Sequence, residues 1–145
     1  MTLISEKTGA KPVQWKKLLL STIISGVTMW FVAGLWHTIL AVNFFKNETN
    51  AAHEGIGIIA IAYVILAFFM TYLYQMSYQK KTITGGLVFG GIIGLLWVFP
   101  HELAMVGAHG GSISYVIKNA IWHTVEQGIG GVVIALTFTL PKNRE

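Results

Sequence analysis

The sequence predicts an all-α fold: an integral membrane four-helix bundle with short loops and with its N- and C-termini in the cytoplasm. Composition is the first reason, because 54% of the 145 residues are apolar, only 11% are charged and the mean hydropathy is +0.62. A soluble domain carries about a quarter charged residues. The second reason is that residues 18–45, 55–79 and 82–101 contain no Lys, Arg, Asp or Glu. Each stretch can cross a bilayer, which takes roughly 20 apolar residues.

A fourth segment is apolar except for Lys118 and Glu126, and it completes the predicted membrane domain of residues 17–140. Cytoplasmic tails of residues 1–16 and 141–145 flank that domain, the second beginning at a proline that cannot continue a helix. The predicted helices are 17–45, 52–78, 83–108 and 113–140. The first is expected to remain in the protein, because its uncharged run of 28 residues exceeds the 7–15 residues of a signal-peptide core.

The distribution of basic residues predicts the orientation. In the four-span topology, Lys46 and Lys118 lie on one side of the membrane. The other side holds Lys7, Lys11, Lys16, Lys17, Lys80, Lys81, Lys142 and Arg144. Because basic residues concentrate on the cytoplasmic side, we expect a multi-pass protein of the cytoplasmic or plasma membrane. The basic residues are expected to contact lipid headgroups, so the net charge of +4 indicates the lipid bilayer as partner and not nucleic acid.

Glycine recurs every four residues in the third predicted helix, at Gly86, Gly90 and Gly94. This spacing gives two overlapping GxxxG motifs, and small residues let helix backbones approach closely in membranes. The motifs predict close packing, either within the bundle or between chains. We therefore expect a homo-oligomer or a subunit of a membrane complex.

Several kinds of chemistry are excluded by the residues that the sequence lacks. There is no cysteine, which excludes disulfides, iron–sulfur clusters and thiolate metal sites. There is no aspartate either, so any carboxylate chemistry depends on glutamate. The paired glycines of the third helix follow no strand, so they do not predict a phosphate-binding loop.

Polar residues inside the predicted spans carry most of the functional information. Ionisable groups in hydrocarbon are costly, and they are usually paired, hydrated or functional. At about 1.5 Å per residue, every His and all three helix-borne Glu lie in the outer half of the predicted bundle, and the inner half of the helices holds none. The candidate metal or cofactor ligands are His37, His101, Glu102, His123 and Glu126.

Helical periodicity predicts that these side chains face inward. On the fourth helix, Asn119, His123, Glu126, Gln127 and Gly130 fall on one face,. On the third helix, one predicted inward stripe comprises Gly90, Gly94, Trp97, His101, Met105 and His109. The residues expected to surround and orient the ligands are Lys118, Asn119, Gln127 and Met105. The residues expected at the outer rim are His53, Glu54 and His109.

The favoured functional hypothesis is a bound transition metal or haem. Imidazole and carboxylate ligands suit copper, iron or zinc, and His101, Met105 and His109 at i, i+4, i+8 suit copper in particular. His123-x-x-Glu126 resembles one reversed copy of the paired motif of bundle di-metal sites. Haem b would need two histidines from different helices at similar depth, such as His37 and His101.

Two other hypotheses remain open. The first alternative is a non-catalytic accessory or structural subunit, in which Lys118 neutralises Glu102 and His123 bonds Glu126. The second is a small transporter or proton-relay protein with a polar vestibule in the outer half. No residue can be assigned a catalytic role from the sequence, so enzymatic activity is undecided.

Overall fold

The computed structural model describes residues 12–40, 55–77 and 82–139, and these ranges are almost entirely helical. In chain order the helices are α1 (Trp15–Leu35, continued by a π-helical turn at Trp36–Leu40), α2 (Ile56–Ser77), α3 (Ile83–His109) and α4 (Ile113–Thr139). They hold 93% of the described residues, and no strand occurs there, which confirms the all-α prediction. The predicted starts of α3 and α4 are confirmed. The predicted segments 41–45 and 52–54 lie outside the described residues.

Side-chain caps and glycines define the hairpin formed by α3 and α4. Thr82 Oγ1 accepts a hydrogen bond from the Gly85 N–H at 3.0 Å, and Ser112 Oγ accepts one from the Tyr115 N–H at 3.2 Å. Each cap satisfies an N–H group that the first turn of a helix leaves unpaired. The connecting turn includes Gly110 at φ +78°, a conformation that glycine adopts without steric cost.

Three helical segments are long and apolar enough to cross a membrane: Trp15–Ile39, Ile56–Ser77 and Ile83–His109. Their exposed side chains are largely apolar, as expected of surfaces that contact lipid. Helix α4 has the same length as α3, 27 residues, but is not in this group. Its sequence is less apolar because it carries a buried face of polar and small residues, including Asn119, Glu126 and Gln127.

At the α3–α4 interface, the two helix backbones come into direct contact at glycine residues. Gly86, Gly90 and Gly94 are buried on α3, and a Cβ atom at any of them would collide with a backbone carbonyl of α4. The carbonyls concerned belong to Gly131, Gln127 and His123 in turn. The GxxxG spacing therefore packs α3 against α4 within the chain, and it fixes both the rotation and the depth of α4.

On its other side, α4 packs against α1. Met29 of α1 contacts Gly130 of α4, and Trp36 stacks on Trp122 with ring centroids 4.2 Å apart and planes 4° apart. Helix α2 packs mainly against α1 and touches α3 and α4 far less. The apolar core lies toward the end of the bundle opposite the α3–α4 turn, and comprises Met29, Ala67, Met70, Tyr74, Phe89, Ile134 and Ala135. Between that core and the turn, α2 leaves clefts beside α4.

We predict that Gly90→Ala destabilises the bundle and that Gly107→Ala does not. The added methyl group at Gly90 would meet the Gln127 backbone, which cannot move like a side chain, whereas nothing lies within 4 Å of a Cβ at Gly107. Overpacking of this kind costs about 1–3 kcal/mol. Thermal unfolding of both variants in detergent, followed by circular dichroism, measures the difference. Equal melting temperatures would contradict the backbone contact.

Candidate functional site

Glu126 lies at the middle of α4, 13 residues from either end of the helix. At 1.5 Å per residue this places it about 20 Å from both ends. Its side chain is 0% exposed, and neither carboxylate oxygen has a hydrogen-bond partner among the described residues. Because an ionised carboxylate in an apolar medium is very costly, the chemistry of Glu126 depends on the groups placed around it.

Side chains from three helices surround Glu126. His123, one turn away on α4, places Nδ1 3.2 Å from Glu126 Oε2, although the two groups are not aligned for a hydrogen bond. Tyr63 of α2 brings its hydroxyl group close to the Glu126 carboxylate, without the geometry of a hydrogen bond. His37 of α1 lies within electrostatic range of both His123 and Glu126. We call these four residues the midplane centre.

A pair of stacked indoles lies beside the midplane centre, nearer the α3–α4 turn. Trp36 and His37 belong to the π-helical turn that ends α1. Such a turn is wider than an α-helical turn and is frequent at functional sites. Here it lets Trp36 stack on Trp122 while His37 meets the edge of Trp122 with ring centroids 6.4 Å apart. The stack therefore covers one side of the midplane centre with aromatic surface.

Two apolar grooves reach the midplane centre and share Tyr63. One, of about 560 Å³, lies between α1 and α2 and includes His37. The other, of about 580 Å³, runs between α2 and α3 over α4 and is lined by Tyr63, Trp97, His123 and Gln127 together with aliphatic residues. We call the second the α2–α3 groove. Gln127 is 0% exposed, and neither its amide nitrogen nor its amide oxygen has a partner among the described residues.

Glu102 belongs to a different site. Asn119 Nδ2 donates a hydrogen bond to Glu102 Oε1 at 3.4 Å. The Glu102 side chain lines a cavity of about 420 Å³ at the α3–α4 turn, together with Met105 and His109. Lys118, next to Asn119 on α4, is half-buried. The five predicted ligands therefore do not form one cluster.

The prediction that His101 faces inward is wrong, because its side chain is exposed and lines neither groove. The buried face of α3 runs through Gly94, Val98 and half-buried Glu102. Adjacent residues of a helix differ in direction by about 100°, so His101 points away from this face. Of the predicted stripe, Gly90 and Gly94 are buried, whereas Trp97, 62% exposed, and Met105, 43% exposed, face outward. His109 is likewise exposed.

The inward orientation predicted for the face of α4 is confirmed. Asn119, Glu126, Gln127 and Gly130 are buried, and only 19% of the His123 side chain is exposed. No three His or Glu side chains among the described residues are grouped so that they could hold a metal ion. The predicted rim residues His53 and Glu54 lie outside the described residues.

Sequence reasoning missed Tyr63 and the Trp36–Trp122 stack. Tyr63 did carry a signal, because it stands alone in the first half of an apolar helix, whereas Tyr72 and Tyr74 lie near the other end, where interfacial aromatic residues are expected,. The indole stack carried none, because a π-helical turn has no sequence pattern that periodicity detects.

Comparison of the chain with protein-family models, with curated proteins and with solved structures gives no match. The site must therefore be interpreted from its own chemistry.

We predict that His123→Leu destabilises the protein more than the double variant His123→Leu/Glu126→Leu. The single change leaves the buried Glu126 carboxyl without the imidazole that lies 3.2 Å from it, and an uncompensated buried polar group costs about 1–3 kcal/mol. Replacing both members of a buried pair by apolar residues of similar size is often neutral or stabilising. Thermal unfolding of the two variants and of Glu126→Leu completes a double-mutant cycle. A double variant less stable than His123→Leu would contradict this account of the pair.

Proposed function

We propose that the chain crosses the membrane four times, with both termini in the cytoplasm. Support for the fourth span comes from the α3–α4 contacts, which extend from Gly86 against Gly131 to Glu102 against Asn119. A helix that lies antiparallel along α3 over this length shares the depth of α3, which is itself apolar enough to cross. The excess of basic residues at the sequence positions beside the other helix ends supports the orientation.

Single cysteines test this topology cleanly, because the chain has none of its own. Ser114 and Ser77 are exposed at opposite ends of the bundle. We expect Ser114→Cys to react with a membrane-impermeant maleimide in intact cells, and Ser77→Cys to react only after permeabilisation. Labelling of both positions from one side would contradict the four-span proposal, and the reverse pattern would contradict the orientation.

We further propose that Gln127, with Tyr63 and His123 of the midplane centre, binds a neutral, lipophilic molecule whose carbonyl or hydroxyl head enters from the bilayer through the α2–α3 groove. The observation that carries this proposal is the Gln127 amide, which is fully buried at a lipid-facing groove with no partner among the described residues. A buried polar group without a partner costs about 1–3 kcal/mol. A ligand head that bonds it recovers this energy.

The groups at the floor of the groove are complementary to such a head. Gln127 offers one acceptor and two donor hydrogens. The Nδ1 atom of His123 lies at Glu126, so Nε2 is the ring nitrogen that a ligand can reach. The walls of the groove are aromatic and aliphatic, with Trp97 and Phe69 exposed along it. Apolar walls with a few placed polar groups are the usual form of a small-molecule site.

A quinone probe tests the proposal, since it has two carbonyl groups on a flat lipophilic ring. We expect decyl-ubiquinone to quench tryptophan fluorescence of the purified protein saturably, and Gln127→Leu to weaken binding by about tenfold, the equivalent of one lost hydrogen bond. Organic extraction of the purified protein, followed by mass spectrometry, identifies any molecule that co-purifies with it.

Asn119→Leu is the matched control, because it removes a buried amide from the same helix outside the groove. The control is expected to retain the affinity of the unmodified protein for the probe. Equal loss of binding in the two variants would mean that folding, not ligand contact, is affected. Saturable binding that is unchanged by Gln127→Leu would contradict the proposed ligand contact.

The second candidate is the transition metal or haem of the sequence-based hypothesis, and one observation favours it: His123 lies 3.2 Å from Glu126, and His37 of another helix is within electrostatic range of both. Metal analysis and a visible absorption spectrum of the same preparation test it. Stoichiometric copper, iron or zinc, or a Soret band, that His123→Ala abolishes would support this candidate over the lipophilic ligand. The accessory-subunit hypothesis is supported if the protein carries neither metal nor ligand and co-purifies with a larger complex.

A further inference from the structure

The cavity at the α3–α4 turn contains metal-binding side chains that the midplane centre does not use. Its volume is about 420 Å³, and three of its lining residues, Glu102, Met105 and His109, come from consecutive turns of α3. Residues three or four positions apart on a helix have Cβ atoms about 5–6 Å apart. Because helical side chains lean toward the N-terminus, the His109 ring leans toward Met105.

A backbone contact of His109 favours the tautomer that a metal ligand needs. Its Nδ1 lies 3.3 Å from the Met105 carbonyl oxygen. A carbonyl oxygen only accepts, so Nδ1 carries the proton and Nε2 carries the lone pair. Ligating histidines usually donate their second ring N–H in this way, to a carboxylate, a backbone carbonyl or water.

Glu102, like His109, has a hydrogen-bond partner that orients its side chain. Asn119 on α4 donates to Glu102 Oε1 at 3.4 Å, and the Glu102 side chain lines the cavity. Hydrogen-bonded carboxylates are the usual companions of ligating histidines. The cavity therefore offers an imidazole nitrogen, a thioether sulfur and a carboxylate oxygen, and the imidazole and the carboxylate each have a hydrogen-bond partner that orients them.

We propose that this cavity binds a cuprous ion through His109 Nε2, Met105 Sδ and Glu102 Oε2. The thioether ligand indicates which metal binds, because soft sulfur ligands favour Cu(I) and imidazole also suits copper. Magnesium and calcium prefer oxygen ligands alone. The site is distinct from the midplane centre, since none of its three ligands lines either groove.

The test is competition between the purified, full-length protein and the chelator bathocuproine for Cu(I) kept reduced with ascorbate. We expect one equivalent of Cu(I) to bind and Met105→Leu to weaken it by at least about tenfold, because loss of residues that only orient ligands already costs 10–100-fold. Met105 is exposed and leucine has a similar volume, so the fold is expected to persist. Circular dichroism checks this.

Matched controls are available for both main ligands. Met76→Leu changes another exposed methionine, 46% exposed, at the far end of α2, and His101→Ala changes an exposed histidine on α3 outside the cavity. Neither is expected to alter Cu(I) binding, whereas His109→Ala is expected to weaken it. With ¹³C-methyl methionine, the redox-inert Ag(I) ion is expected to shift one methyl resonance, which Met105→Leu removes.

Two results would overturn the proposal. Equal Cu(I) affinity in Met105→Leu and the unmodified protein would show that the thioether is not a ligand. Cu(I) binding lost in Glu126→Gln but retained in Met105→Leu would place the metal at the midplane centre instead. Failure of the quinone probe at Gln127 would leave the copper experiment unaffected, because the two sites share no residue.

Discussion

The close approach of α3 and α4 at glycine is the interaction on which the other features depend. A Cβ atom at Gly86, Gly90 or Gly94 would collide with an α4 carbonyl, so these positions bring the two backbones into contact. In a membrane, where lipid is as apolar as a leucine side chain, such packing is a principal source of helix association. The contact also fixes the rotation of α4, and with it the direction in which each polar side chain points.

That rotation accounts for the separation of the polar residues into two sites. The backbone carbonyls of His123 and Gln127 meet α3, and the Glu126 side chain is thereby buried toward Tyr63 of α2 and His37 of α1. Near the turn, the same packing brings Asn119 against Glu102. Helix α4 thus positions two carboxylates at different heights. Glu102 lies about 10 Å from the end of α3 at the turn, and Glu126 lies about 20 Å from the corresponding end of α4, at 1.5 Å per residue,.

At the midplane centre, polar groups that are costly to bury lie beside open grooves. Glu126 and Gln127 are both fully buried, yet α2 packs so lightly on α3 and α4 that the α2–α3 groove reaches Gln127 and His123, the neighbours of Glu126. A purely structural polar network would be expected to satisfy its own donors and acceptors. The unpaired atoms at Gln127 and the groove beside them are complementary features, and the proposed ligand from the bilayer would account for both.

The sequence by itself determined the helical class, the helix boundaries within the described residues to about four residues, and the inward face of α4. These follow from local rules: uncharged length, capping residues and the 3.6-residue period. Only the tertiary structure decided that His101 is exposed, that Glu102 lies apart from Glu126 and that Tyr63 completes the midplane centre. Adjacent helical positions differ by about 100°, so the face of α3 that is buried depends on which glycines meet α4. Contact between helices, unlike periodicity within one, cannot be obtained from a single segment of sequence.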